Sequence, residues 1–237
     1  MYKRSLFLLL SFFLIKSQIF AYDFTSEGIY YEIISNNQVK VTYKSSDDRG
    51  YSGRISIPEK ITNNGVTYTV VAIDDRAFYK CTGIVGPLTI PNTITSIGNS
   101  AFYGCSGFTG ELSIPNSVKI LGSYAFGDCS GFTGTLAISN SIESISSGTF
   151  SGCSGFTGNL TIPNSITSIG ASAFYGCRGL AGTLTIPSSV TSIGASAFSG
   201  CSGLTGALTI PNSVTSIGSN AFYQCSGFNG PLTISNS

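Results

Sequence analysis

Leu208-Thr209-Ile210-Pro211-Asn212-Ser213-Val214-Thr215-Ser216-Ile217-Gly218-Ser219-Asn220-Ala221-Phe222-Tyr223-Gln224-Cys225 is one copy of a pattern that recurs at fixed spacing. Its cysteine has counterparts at Cys81, Cys105, Cys129, Cys153, Cys177 and Cys201, each 24 residues from the next. A constant period of this size predicts a solenoid, in which every repeat is one coil stacked on its neighbours. Apolar and polar residues alternate over Leu208-Thr209-Ile210, which predicts a short strand with Leu208 and Ile210 inward and Thr209 outward. Pro211 has no N–H to donate, so the strand is expected to stop there. Ser139 and Ser235 replace this proline, which therefore sharpens the stop without being essential.

The second half of the unit supplies Val214 and Ile217 as further inward side chains. Gly218 is read as a turn with positive φ, and Asn220 as the cap of a single helical turn carrying Ala221 and Phe222. Ser146 breaks the Gly218 column, whereas the columns Gly83 to Gly227 and Gly86 to Gly230 have no exception. Bends without room for a Cβ account for those two. Phe78, Phe102, Phe126, Phe150, Phe174, Phe198 and Phe222 form the largest continuous side-chain ladder. A lone coil leaves both flat faces wet, so folding is expected to be cooperative between neighbours.

Working outward, four segments are expected. Residues 1–21 read as a signal peptide: Lys3 and Arg4, an apolar run from Ser5 to Ile15, and a small residue at Ala21. Lys16 cuts the run well short of the roughly 20 residues a membrane span needs, and the mature chain has no other such stretch. Residues 22–54 hold a β-hairpin, Ile29 to Ile34 and Gln38 to Tyr43, around Ser35-Asn36-Asn37. Residues 55–87, opening on Ile55-Ser56-Ile57-Pro58, form a capping coil with an insertion near Asn63-Asn64-Gly65. Residues 88–237 form six regular coils starting at Leu88, Leu112, Leu136, Leu160, Leu184 and Leu208, with a stub from Leu232.

These residues (leucine, isoleucine, proline; valine, isoleucine, glycine; then Ala-Phe-x-x-Cys) resemble the BspA-type leucine-rich repeat over about residues 55–237. Gly28-Ile29-Tyr30-Tyr31 also resembles the leader region of bacterial members. The resemblance implies a right-handed solenoid with a parallel sheet along one side. It further implies secreted or surface proteins, some of which bind host matrix proteins or other microbes. The period here is one residue longer than is usual, the addition falling between Phe108 and Leu112 and equivalently elsewhere.

Chemistry narrows the function. Without residues 1–21, nine Lys+Arg face eleven acids, a net charge of −2, which argues against nucleic acid or anionic lipid as partner. From Leu88 onward the charged residues are Glu111, Lys119, Asp128, Glu143 and Arg178 alone. The sequence contains no histidine, removing that general base, metal ligand and pH switch. Glu111, Asp128 and Glu143 occupy different columns and make no carboxylate pair. Asp47-Asp48 and Asp74-Asp75 lack the spacing of a calcium loop. Asn159-Leu160-Thr161 is a glycosylation sequon, but Leu160 opens a buried strand. The cysteines are odd in number and point the same way from one column, so they are read as buried thiols, neither disulfides nor zinc ligands.

Two columns remain for recognition. The outward strand positions are Thr89, Ser113, Ala137, Thr161, Thr185 and Thr209; beside the Phe ladder stand Tyr79, Tyr103, Tyr175 and Tyr223. The expectation is a non-enzymatic, secreted or cell-surface adhesion module, without cofactor or metal, binding extracellular protein or glycan, host matrix included. The rival is a structural spacer, or a fragment of a larger surface protein, with no specific ligand. Because the chain reaches Ser237 within a coil, continuation into something longer or docking of that end on a partner or second copy is also expected.

Overall fold

A computed structural model describes residues 21–234; the leader expected over residues 1–21 thus lies outside the described residues apart from Ala21. The chain is the expected parallel solenoid of 24-residue coils. The expected strand at the start of the coil forms from Leu112 onward, and most coils add a second strand of two residues after the proline position. One sheet stacks Gly158–Thr161, Leu180–Thr185, Leu204–Ile210 and Phe228–Ile234, and below them Leu112–Ser113 pairs with Leu136–Ala137. All these pairings are parallel and run one coil to the next, as in Leu208↔Leu232. Along the strand Leu208 and Ile210 are buried while Thr209 is exposed, as the alternation requires.

A second ladder uses strands of only two residues, Ser144–Ile145, Ser168–Ile169, Ser192–Ile193 and Ser216–Ile217. It follows a separate sheet that ends at Ile120–Leu121 and begins in the N-terminal cap. There β1 (Phe24–Ser26), β2 (Ile29–Ser35) and β3 (Gln38–Val41) form an antiparallel meander. Then β4 (Lys60–Asn63) and β5 (Val66–Ile73) make the hairpin that the sequence shows as an insertion; Asn64 and Gly65 at its tip have φ of 48° and 79°. Positive φ at both central residues suits the twist of a two-residue hairpin. β5 pairs in parallel with β3 on one side and with Ser96–Ile97 on the other, so the cap is hydrogen-bonded into the stack. Ile55–Ile57 and Leu88–Ile90 line the core without forming strands.

No helix occurs among the described residues. Where single helical turns were expected around Ala221 and Phe222, each coil has consecutive tight turns, such as Tyr103 N–H to Ser100 (3.1 Å) and Cys105 N–H to Phe102 (3.1 Å). The intervening amides point away from their own coil. Ser100, Phe102 and Gly104 donate to Ser123, Ala125 and Gly127 of the next coil at 2.8, 2.8 and 2.7 Å. A helix would satisfy those amides internally and forfeit this contact between coils.

The positive φ falls elsewhere than expected. Gly218 has no positive φ; a Cβ there would strike the Ala195 amide, so close approach excludes the side chain. The left-handed residues come two later, at Ser100, Tyr124, Ser172, Ser196 and Asn220 with φ between 53° and 58°. The column of Gly131 does behave as expected, since a Cβ there would overlap the Ser106 and Phe108 carbonyl oxygens. In the other column, by contrast, Gly86, Gly110, Gly158, Gly182 and Gly206 have φ of 75° to 91°, with open space at Gly110.

Two glycines separate these causes. Gly131→Ala is expected to cost about 3 kcal/mol or more, because the backbone oxygens have nowhere to move. Gly176→Ala, at φ 69° with open space around it, should cost only about 1–2 kcal/mol. Guanidinium unfolding midpoints check the difference; equal costs would contradict the close-approach account.

Candidate functional site

The surface rests on an aromatic core. Successive rings of the Phe78–Phe222 ladder have centroids 4.9–6.0 Å apart, with Phe78 and Phe102 within 3° of parallel. Phe108, Phe132 and Phe156 make a second ladder at 5.5 Å, set edge-on to the first, as between Phe102 and Phe108. Offset stacks and edge-to-face contacts are the favoured aromatic geometries. This second ladder gives way to Leu180 and Leu204 in later coils.

The structure places the outward strand residues Thr89, Ser113, Ala137, Thr161, Thr185 and Thr209 on the exposed face, one per coil. Their five hydroxyls make no hydrogen bond among the described residues. A second exposed row, missed in the sequence reading, is Thr95, Lys119, Glu143, Thr167, Thr191 and Thr215. Its threonines are already occupied: Thr95, Thr167, Thr191 and Thr215 Oγ1 donate to the carbonyl one coil below at 3.0–3.2 Å. The two rows therefore differ in purpose. One binds coils together, while the other leaves its hydroxyls facing water.

The tyrosines also divide. Tyr103 stacks on Tyr79 at 5.4 Å, and its ring leans over Gly127, where a Cβ would collide with it. A hydrogen bond to Asp128, with burial adding to it, pushes the Tyr103 hydroxyl up to about 12. Tyr175 and Tyr223 are instead 50% and 58% exposed. Between them the column holds Ser199, and the gap is a cavity of about 450 Å³ bordered by Tyr175, Arg178, Ser199 and Gln224.

All seven cysteines are buried and free. Each of six donates its S–H to the phenylalanine carbonyl one coil below: Cys105 to Phe78 at 2.9 Å, then Cys129, Cys153, Cys177, Cys201 and Cys225 at 3.0 Å. The thiols thus act as donors as well as spacers. Desolvation raises the Cys81 thiol to about 11 and Cys201 to about 12, and Cys105, Cys129, Cys153, Cys177 and Cys225 also rise. Nucleophilic chemistry needs a depressed thiol, and these are shifted the other way. Among the described residues no group of three or more His, Cys, Asp or Glu is placed to hold a metal ion, and no helix is long and apolar enough to cross a membrane.

Short parallel strands, turns stacked without helix, and leucine and phenylalanine columns at a 24-residue period define a leucine-rich-repeat solenoid. The chain matches the model of the BspA type leucine rich repeat region in six copies, over residues 71–205 and 156–236, and belongs to that family. No curated protein matches it significantly. A leucine rich cell surface protein from Faecalibacterium prausnitzii is similar in structure, with 32% identity, TM-score 0.74 and 90% of this chain covered; the chain spans 55% of that protein. A leucine-rich repeat protein from T. pallidum superposes with TM-score 0.68 at 24% identity, covering 87% of this chain and 91% of its own. One from Bacteroides ovatus gives 0.53 at 22%, covering 91% and 68%. The last two bear on the fold alone.

The thiols set an alkaline limit on stability. Their folded values lie above the ordinary value near 8.5, so their contribution is fully present below about pH 8.5 and is lost as pH rises. Unfolding free energy is expected to be level from about pH 6 to 8 and to fall above about pH 9. Cys153→Ala should flatten that fall. At pH 8 a thiol reagent should leave the native protein unmodified and titrate all seven cysteines after denaturation.

Proposed function

We propose that this chain is a non-catalytic recognition module displayed outside the cell, holding an extracellular protein or glycan on the outward strand face. The carrying observation is the row of unoccupied hydroxyls at Thr89, Ser113, Thr161, Thr185 and Thr209, one per coil, on a rigid scaffold. Hydroxyls free of internal partners exchange water for ligand without breaking a bond within the protein. Regular spacing suits an extended or repeating ligand, gripped weakly at each of several coils. The leader-like residues 1–21 and the cell-surface description of the Faecalibacterium relative support export. Tyr175 and Tyr223 add aromatic contacts, and tyrosine is favoured in binding hot spots.

The near-identity of successive coils favours a second reading, a spacer with no ligand. A bespoke site usually varies from position to position, and this face scarcely does. Binding of the mature chain to matrix proteins, mucins and bacterial envelopes separates the two readings. A triple variant, Thr161→Lys, Thr185→Lys and Thr209→Lys, is expected to weaken capture at least tenfold while moving unfolding free energy by about 0.5 kcal/mol per site or less. Wild-type protein that captures none of them supports the spacer.

A further inference from the structure

A cavity of about 750 Å³ lies off the strand face, where the loop from Lys44 to Ser52 meets the turn from Tyr79 to Gly83. We propose that it binds a carboxylate-bearing saccharide. Its volume is within the range of small-molecule sites, about 300–1,000 Å³. It joins the non-repeating loop from Lys44 to Ser52 to members of three repeated columns, Tyr79, Cys81 and Gly83.

Aromatic packing fixes part of the wall. Tyr51 is buried, donates its hydroxyl to the Thr42 carbonyl at 2.6 Å, and packs on Phe78, the first rung of the core ladder, at 4.4 Å. Tyr30 meets Tyr51 edge-on at 5.3 Å, and Gly50 sits so close to the Tyr30 ring that a Cβ would overlap it. The loop is closed by its own hydrogen bonds: Ser45 N–H to Asp48 O at 2.9 Å and Gly50 N–H to Asp48 Oδ1 at 2.7 Å. Such a cavity is formed before a ligand arrives, which lowers the ordering cost of binding.

The charges indicate an acid. Lys44 is satisfied by Asp48 at 2.8 Å. That leaves Arg49 and Lys80 as cations without an ion-pair partner among the described residues, against the single carboxylate of Asp47. The Arg49 guanidinium lies over Tyr43 at 4.1 Å and near Tyr79 at 5.9 Å, and its buried Nη1 has no hydrogen-bond partner. The two tyrosine rings hold the guanidinium at the cavity wall by cation–π contact, where its charge would attract a carboxylate. The remaining lining, Ser46, Asp47, Ser52 and Thr82, offers donors and acceptors together. A ring bearing several hydroxyls and one acid uses all of these features; an acidic peptide side chain would leave most of the polar wall unmatched.

Calorimetric titration of residues 22–237 with 3′-sialyllactose and trigalacturonic acid, against lactose, lactose 3′-sulfate and inorganic phosphate, tests this. At least one carboxylated sugar is expected to bind at least tenfold tighter than lactose, the sulfated sugar or phosphate. Arg49→Ala should weaken it at least tenfold, Lys80→Gln by two- to fivefold, and Arg49→Lys less than Arg49→Ala. Unfolding midpoints verify that each variant folds; should Arg49→Ala fail, Arg49→Lys and Tyr79→Ala carry the test. The lysine substitutions at Thr161, Thr185 and Thr209 should leave this binding unchanged, so failure here and failure on the strand face are distinguishable. Equal binding of lactose, preference for sulfate or phosphate, no saturation by either carboxylated sugar, or retained affinity in folded Arg49 variants overturns the proposal.

Discussion

The carbonyl oxygens of Phe78, Phe102, Phe126, Phe150, Phe174 and Phe198 each fix one coil to the next. Phe126 O accepts the Cys129 amide of its own turn at 3.2 Å and the Cys153 thiol of the following coil at 3.0 Å. A carbonyl has two acceptor sites, and both are used without water deep in the core. Deeply buried polar groups cost free energy unless paired, so this arrangement admits only a small side chain that is both apolar and able to donate. Cysteine meets that requirement. Alanine would leave the second acceptor site unused, and a larger residue would push the coils apart.

From that junction the rest of the coil follows. The Phe rings are held one above another, and amides on alternate residues of the turn reach across to the next coil. At the far side, bonds between coils run the opposite way, as when Thr191 donates from its backbone to Thr167 at 2.8 Å. Each coil is thus clasped by donors from below along one edge and from above along another. Gly131 and its equivalents are the points where backbones come closest. Polar surface columns assist: Asn99 Oδ1 accepts from the Ser123 amide at 2.9 Å, and Ser139, standing where other coils have proline, donates to the Val118 carbonyl at 2.8 Å. With backbone and core so engaged, the outward hydroxyls of Thr89, Ser113, Thr161, Thr185 and Thr209 stay without a hydrogen-bond partner among the described residues.

Much of this was legible in the sequence because cysteine, phenylalanine and glycine columns declare the period directly. The β2–β3 hairpin and the Leu208-Thr209-Ile210 strand also read correctly, each having enough alternation to show. The Ser-Ile strands were not legible, since two residues carry no alternation. The β4–β5 hairpin was signalled by Asn64-Gly65 but passed as an interruption of a coil. The left-handed positions fall on serine, tyrosine, asparagine and glycine alike, so identity alone does not reveal them. The internal bonding of Thr95, Thr167, Thr191 and Thr215 required coordinates, because those residues look like any exposed strand threonine. The cavity at the cap joins Tyr30, Arg49 and Tyr79, and nothing in the period brings those three together.

The most direct test is an X-ray structure with the sulfur positions located by their anomalous scattering. This account requires seven sulfurs in single file, about 5 Å between neighbours as strand stacking dictates, with six Sγ atoms about 3.0 Å from the phenylalanine carbonyl oxygen one coil below. Sulfurs bonded in pairs at about 2.05 Å, or sulfurs turned away from those oxygens, would contradict it.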